Sequence, residues 1–509
     1  MVNKKDIYVC LGILVVIFIS FFIIGIFKTG HMPHDDGVLF GIYDTINDKS
    51  FFDSQSLAFK IDGFSGNSIR FRPLYYPYLF LKVYLFDLNI LLNIIFTVFI
   101  GCLSVSFFYL GIRKFNCSVY ESILFIFLLF IGNQIVVLQR NDPNETIGIF
   151  FLALSFYYLN NSKILSNILF SVFLILASWC KESFTLIIPA FIFLKYITDK
   201  EYNTISDDKQ YKRIIYYTIL SIPILVFFVN VVYIINAYNY TDAGYYFKEN
   251  NPLILIRKIF NVILKSKQFL YSLLITFFIF LSIFIKEESS IINFIRKQWK
   301  LLVFLILFIS PNIVLYANTN ISERYLLPVV FASSFVCIIL IHRIKNNYMW
   351  LYRFLIICIT FSVLPLLYNS IRTSTAFVAE NKNVQSLFKD IEYYKKEDSN
   401  ILLVIRPDIS WQISVLADGY LKYYLKKSPY FLFVEPENDE ITDYGIVLKN
   451  SLSNRFKDYM FSQDHNYDIL VFFDTNIDDY FYYSGYNRNN YSILRENNIF
   501  PMLIRSGLQ

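Results

Sequence analysis

The sequence predicts an α-helical polytopic membrane protein of about eleven transmembrane helices, with a C-terminal extracytoplasmic α/β domain, and three observations lead there. The 509 residues are 56% hydrophobic and 19% aromatic but only 17% charged, with a mean hydropathy of +0.46. That balance is too apolar for a globule in water. Apolar runs of about twenty residues, the length that crosses a bilayer, recur as far as residue 370. Beyond that point the runs shorten to strand length, as in NILLVIRP (400–407) and YDILVFFD (467–474).

Taken in order, spans are expected near 7–27, 86–112, 118–138, 146–160, 163–180, 184–197, 214–236, 268–286, 300–316, 325–342 and 353–370. The first has a basic start and no small-residue cleavage site after it, so it reads as an uncleaved span rather than a removed signal peptide. Lys4/Lys5, Arg113/Lys114, the 200–213 loop, the 286–300 loop and the 343–353 loop fall on alternate connections. By the positive-inside rule these connections are cytoplasmic, the N-terminus is inside and the C-terminal domain outside. The net charge of +6 is spread through these short loops, which reads as topology and excludes a nucleic-acid surface. Together with the bias toward Phe, Ile, Tyr, Asn and Lys, this suggests a bacterial cytoplasmic membrane. The six cysteines lie in or beside apolar runs without metal-ligand spacing and read as small buried hydrophobes.

Two domains follow: a transmembrane catalytic domain over 1–370, and a soluble α/β domain over 371–509 in which FKDYMF and ADGYLKYYLKK are expected to be helical. Three outward segments are long. The 28–85 loop carries HMPHDDG and RFRPLYYPYL, the 237–267 loop carries the amphipathic stretch LILIRKIFNVILK, and the third is the tail.

Charge is absent from the middle of the expected spans and gathers at their outward ends, unlike the mid-bilayer charges of transporters and pumps. Five stretches contribute: Asp35 and Asp36; Arg72; Arg140, Asp142 and Glu145; Lys181 and Glu182; Glu323 and Arg324. This pattern suits an enzyme acting at the outer surface on a lipid-borne substrate. A carboxylate at Asp35 or Asp36 can serve as a base for an acceptor hydroxyl, and two adjacent carboxylates near a low-dielectric rim disfavour double ionisation. Arg72, Arg140, Lys181 and Arg324 can hold a phosphate leaving group, each donor worth roughly 100- to 1,000-fold in rate. The plainer readings are a solvated loop entry for the aspartates, snorkelling span-end arginines, a salt-bridged turn at Lys181/Glu182 and a proline-stabilised turn around Asp142. His31 and His34 beside the aspartates form an available divalent-metal set, but loop histidines are more often incidental. No cofactor is expected.

Together these residues resemble the GT-C superfamily of glycosyltransferases, nearest its protein O-mannosyltransferase and tetratricopeptide-bearing O-mannosyltransferase branches. The resemblance covers roughly residues 1–340 and rests on the order and sidedness of short motifs. An acidic pair after the first span is matched by Asp35-Asp36, an Arg-Pro-Leu before the second span by Arg72-Pro73-Leu74, and an Arg-x-Asp by Arg140-Asn141-Asp142. A Lys-Glu is matched by Lys181-Glu182, and the Arg-Tyr-Leu-x-Pro entry to a late span by Arg324 to Pro328. The resemblance implies transfer of a sugar from a polyprenyl-phosphate donor to a cell-envelope glycan, lipid or protein acceptor on the outer face. Asp35 and Asp36 would be catalytic; Arg72, Arg140, Asp142, Lys181, Glu182 and Arg324 would hold donor phosphate or substrate. Tetratricopeptide repeats and a β-trefoil insertion are missing and an outward tail is added, which weighs against a protein acceptor. The rival classes are a lipid-linked oligosaccharide flippase, an O-antigen polymerase or ligase, and a non-catalytic envelope scaffold whose functional part is the tail.

Overall fold

The computed structural model describes residues 3–30, 37–60, 71–140, 144–161, 163–201, 210–240, 252–287, 291–317, 323–396, 398–405, 407–433, 457–462, 466–473, 488–495 and 500–506. Asp35, Asp36, His31, His34 and Asp142 lie outside the described residues, as does the side chain of Glu323.

Seven helices among the described residues are long and apolar enough to cross a membrane: Lys4–Ile24, Ile90–Arg113, Arg213–Asn236, Lys267–Ile285, Asn293–Ala317, Arg324–Lys345 and Met349–Tyr394. The chain is a multi-pass membrane protein. Local signals set the ends of these helices. Asn3 and Asn89 cap the first two by accepting from Lys5 N and Leu92 N. Gly25 closes the first at φ 94°, a left-handed position suited to glycine.

Several expected spans take a different form. The 118–138 run is no straight rod. Helix Val119–Phe130, started by a reciprocal Ser118/Glu121 capping box, bends by 82° into the short segment Asn133–Gln139. Gly132 makes the corner at φ 102°, where a Cβ would stand 2.6 Å from Gln268 Oε1. The 146–160 and 163–180 runs are the short helices Asn144–Leu159 and Ile164–Ser178. The 184–197 run is split between the single turn Glu182–Thr185 and helix Ile188–Glu201. The amphipathic stretch is helix Pro252–Lys265.

The expected 28–85 loop is itself largely helical, with helices Gly37–Ile46, Phe51–Ala58 and Tyr75–Phe86. They share a core of Leu39, Ile42, Leu79, Phe80 and Val83 that also takes in Ile147 and Cys180 of the bundle.

Met349–Tyr394 runs unbroken past residue 370 for 46 residues. At 1.5 Å per residue that is about 70 Å, more than twice a hydrocarbon core of about 30 Å. Its far end packs Leu387, Phe388 and Ile391 beneath a five-stranded sheet. The strands are β1 (Ile401–Ile405), β2 (Tyr430–Phe433), β3 (Ile469–Phe473), β4 (Tyr491–Arg495) and β5 (Met502–Arg505), in the order β2-β1-β3-β5-β4. β1 is parallel to β2 and β3, while β5 is antiparallel to β3 and β4. Every residue of β1 and β3 is buried, as central strands covered on both faces require. Helix Pro407–Tyr424 crosses between β1 and β2, and Phe388 stacks on its Tyr420 at 4.1 Å. The expected FKDYMF helix is instead a 3-10 turn, Lys457–Tyr459, followed by a bridge from Met460 to Phe431. Backbone pairing with β2 outweighs the local helical pattern there.

The C-terminal domain and helix Gly37–Ile46 are locked together through helix Pro407–Tyr424. Phe40 stacks on Tyr423 at 5.6 Å, Tyr43 meets the same ring edge-on at 5.2 Å, and Lys422 pairs with Asp44 at 3.0 Å. Gly37 packs against the Leu416 backbone and Gly419 against the Phe40 ring.

Candidate functional site

Ion pairs at the helix termini distinguish the two ends of the bundle. At one end Arg113 Nε binds Asp6 Oδ1 at 2.8 Å, tying the start of the first helix to the end of Ile90–Arg113. His342, near the end of helix Leu327–Asn347, meets Glu121 at 3.2 Å. At the opposite end lie the junction before helix Asn144–Leu159, the turn after Ile164–Ser178, and the start of Leu327–Asn347. Three widely separated pieces of sequence meet there in a buried polar cluster.

The turn after Ile164–Ser178 is held in place before it contributes any chemistry. Leu74 N donates to Trp179 O at 3.0 Å, and Thr185 Oγ1 to Ser178 O at 3.0 Å. Asn230 Nδ2 reaches Ser178 Oγ at 3.1 Å from the next long helix. These bonds orient Lys181 and Glu182, both buried. Glu182 takes Arg72 Nε on its two oxygens at 3.2 and 3.3 Å. Lys181 Nζ donates to Glu145 Oε1 and sits 3.6 Å from the centroid of the Tyr325 ring. Glu145 lies in the first turn of its helix, where the backbone dipole favours an anion. Thr146 pins that turn to Val137 O at 2.6 Å.

Arg324 completes the cluster. Its Nε lies 4.0 Å from Glu145 Oε1 and its guanidinium 5.2 Å from the Tyr325 ring centroid. Tyr325 in turn stacks on Tyr316 at 5.5 Å. Arg72, Lys181, Glu182 and Arg324 are therefore brought together, with Glu145 at their centre. Arg140 ends the bent segment and lies against the ring of Phe377 at 5.8 Å. The neighbouring Gln139 accepts from Ser374 Oγ at 2.7 Å, and Asn133 from Thr373 Oγ1 at 3.1 Å. The long Met349–Tyr394 helix thus packs along the bent segment that leads to Arg140.

Three cations against two carboxylates leave one positive charge in excess among these five residues. Burial lowers the Lys181 ammonium below the ordinary lysine value, with the Glu145 carboxylate opposing that shift. Buried cations gathered in this way can hold an anion, and Tyr316 and Tyr325 add ring surface beside them. Tyr325, Tyr316 and Phe377 escape sequence reading. The first is hinted at by its place in SERYLLP, but nothing in a chain so rich in aromatics singles out the other two.

Cys117, Glu121 and His342 have ligand atoms within 4.8 Å of one another. They sit at the opposite end from the cluster, where Arg113 donates to Cys117 O. A guanidinium so close disfavours a cation, and the trio is better described as a hydrogen-bonded Glu121–His342 pair beside a thiol. All six cysteines are free.

The chain matches the crystal structure of ArnT from Cupriavidus metallidurans bound to undecaprenyl phosphate. The match covers 100% of this chain and 99% of that one, with a TM-score of 0.50 and 10% sequence identity. No family model and no curated protein sequence matches this chain. At that identity the two share an architecture.

Proposed function

From the premise that this chain has the GT-C fold, we propose that it is a membrane glycosyltransferase using a polyprenyl-phosphate sugar donor. One observation carries the reading: Arg72, Lys181 and Arg324, distant in sequence, converge with Glu145 and Glu182 at one end of the bundle. A lipid-linked phosphate ester brings negative charge to a low-dielectric boundary, and the cationic groups gathered in the cluster are the residue types that stabilise it. That the ArnT structure of the same fold holds undecaprenyl phosphate supports a donor of this class.

The assigned roles follow the chemistry. Arg324 and Lys181 neutralise the leaving phosphate, with Glu145 holding both in register. Arg72, fixed by Glu182, gives the planar fork suited to phosphate oxygens. Asp35 or Asp36 removes the acceptor proton. Gly37, the residue that follows them, packs on helix Pro407–Tyr424, which supports an acceptor-binding or capping role for the C-terminal sheet domain. The acceptor is a cell-envelope glycan or lipid on the outer face, in a cytoplasmic membrane with the N-terminus inside.

The test is sugar transfer from a polyprenyl-phosphate donor, normalised to folded protein. Asp35→Asn and Asp36→Asn are measured separately, and at least one is expected to lose activity by about 100-fold or more. Arg72→Lys and Arg324→Lys are expected to weaken donor binding, each by roughly tenfold. Full activity in both aspartate variants would remove the base assignment. Unchanged donor affinity in both arginine variants would remove the phosphate assignment.

A further inference from the structure

The second half of helix Met349–Tyr394 turns one face toward the rest of the chain, with Ser374, Phe377, Asn381 and Gln385 spaced three or four residues apart. Ser374 donates to Gln139 Oε1, and Phe377 lies against Arg140. One turn beyond Phe377 comes Asn381. One turn further is Gln385, whose side chain would stand 2.4 Å from a Cβ on Gly30. Asn381 is 0% exposed, yet among the described residues neither its Nδ2 nor its Oδ1 has a hydrogen-bond partner. Gln139 Nε2 and Gln385 Nε2 are buried and unpartnered there as well. A buried amide left unpaired costs stability. Four such atoms along one face and the segment packed on it call for a functional account.

We propose that these carboxamides, Asn381 foremost, bind the hydroxyls of the sugar that the lipid-phosphate donor carries. This rests on the transferase reading and adds to it the place of the glycosyl group. An amide offers a donor and an acceptor without charge, which matches a sugar hydroxyl. It supplies no cation for a phosphate and no apolar surface for an isoprenoid chain. The position fits the reaction too. In transfer, the bond from the sugar carbon to the phosphate oxygen breaks as the acceptor oxygen bonds to that carbon and gives its proton to the base. The ring must therefore lie between the phosphate-binding cations and the acidic pair. On the cation side, Gln139 belongs to the short segment that Thr146, next to Glu145, ties down through Val137 O. On the other side, Gly30 and Gly37 bound residues 31–36, which include Asp35 and Asp36, and Gly30 packs on Gln385. Asn381 stands between the two. The helix rises about 16 Å from Ser374 to Gln385, a span that accommodates a sugar ring and its phosphate linkage.

The test compares bare undecaprenyl phosphate with undecaprenyl phosphate carrying glucose, galactose, mannose or arabinose, each titrated against the full-length protein in detergent. At least one glycosylated lipid is expected to bind about tenfold or more tightly than the bare lipid. Asn381→Leu removes both hydrogen-bonding atoms at nearly constant volume. It should erase most of that advantage and leave affinity for the bare lipid unchanged. It should also raise the melting temperature of the ligand-free protein, because no unpaired amide remains at that position. Lys382→Gln, on the exposed face of the same helix, should alter neither. An undiminished advantage in Asn381→Leu would overturn the proposal, as would an equal loss for bare and glycosylated lipids. A lower melting temperature with the advantage intact would assign the amide to a structural water instead. If the bare lipid itself fails to bind, the transferase reading falls and this inference with it. If the bare lipid binds and no sugar adds affinity, this inference alone falls. Should Asn381→Leu not fold, Asn381→Ala carries the same comparison.

Discussion

Glu145 holds the polar cluster together because its carboxylate is placed against both Lys181 and Arg324. Its replacement by glutamine would leave a buried ammonium without its counter-charge, a change that costs about 3–5 kcal/mol. Glu145→Gln is therefore expected to lower the midpoint of denaturation in detergent clearly, and double replacement with Lys181→Met to recover part of the loss. Lys181 also predicts a pH dependence. Its pKa is lowered by burial, so it loses its proton as pH rises before an ordinary lysine near about 10.4 would. The positive excess of the cluster fades over that range, and donor affinity should fall with it. Titrating donor binding from neutral to alkaline pH checks this, and Lys181→Arg should flatten the curve. At this scale the sequence was informative about ionisable residues and mute about their neighbours. Arg72, Lys181 and Arg324 are conspicuous because charge is scarce in an apolar chain. Tyr316 and Phe377 are two rings among many, and only three-dimensional packing tells that one stacks on Tyr325 and the other lies against Arg140.

Helices and strands were legible to the degree that their signals were local. Asn89 before an unbroken apolar run marks a helix start, and ILLVI and ILVFF read directly as buried strands. The bend at Gly132 was not legible, because the apolar run continues across it and the cause is a distant contact with Gln268. β2 and β5 were missed because they pair with β1 and β3, about thirty residues away, and β4 because it pairs only with β5, itself missed. The contact of Gly419 with Phe40 gives an expectation for an element. A Cβ at Gly419 would come within 2.4 Å of the Phe40 ring, so Gly419→Leu must push helix Gly37–Ile46 off helix Pro407–Tyr424. Overpacking of this kind costs about 1–3 kcal/mol. Gly419→Leu should lower the melting temperature and expose the 37–46 segment to limited proteolysis, while Gly12→Ala, with open space around its Cβ position, should change neither.

Over the whole molecule, both ends of the bundle carry ionisable residues, though of different kinds. Arg113, Lys297, Lys300 and Arg343 collect at one end, and the mixed cluster of Arg72, Glu145, Lys181, Glu182 and Arg324 at the other. The positive-inside rule predicts the first group on the cytoplasmic face. Single cysteines placed at exposed Asp44 and exposed Arg343 in an otherwise cysteine-free chain should react with an impermeant reagent from opposite faces, Asp44→Cys from outside. Labelling of both from one face would break the topology. The sequence predicts a sidedness because charge at loop ends obeys a global rule, and the labelling decides it. The joining of helix Gly37–Ile46 to the C-terminal domain could not be read from sequence, since Phe40 and Tyr423 are nearly four hundred residues apart.

The continuous helix Met349–Tyr394 makes the water-exposed sheet and the lipid-embedded bundle one mechanical body. Its early part lies in the bundle, its middle flanks Gln139 and Arg140, and its last turns seat the strands. A chain cut just after Tyr394 would bare Leu387, Phe388 and Ile391 to solvent as an oily stripe. Such a truncation should clump on extraction rather than yield a shortened, well-behaved bundle, and size-exclusion profiles of the two lengths would reveal it.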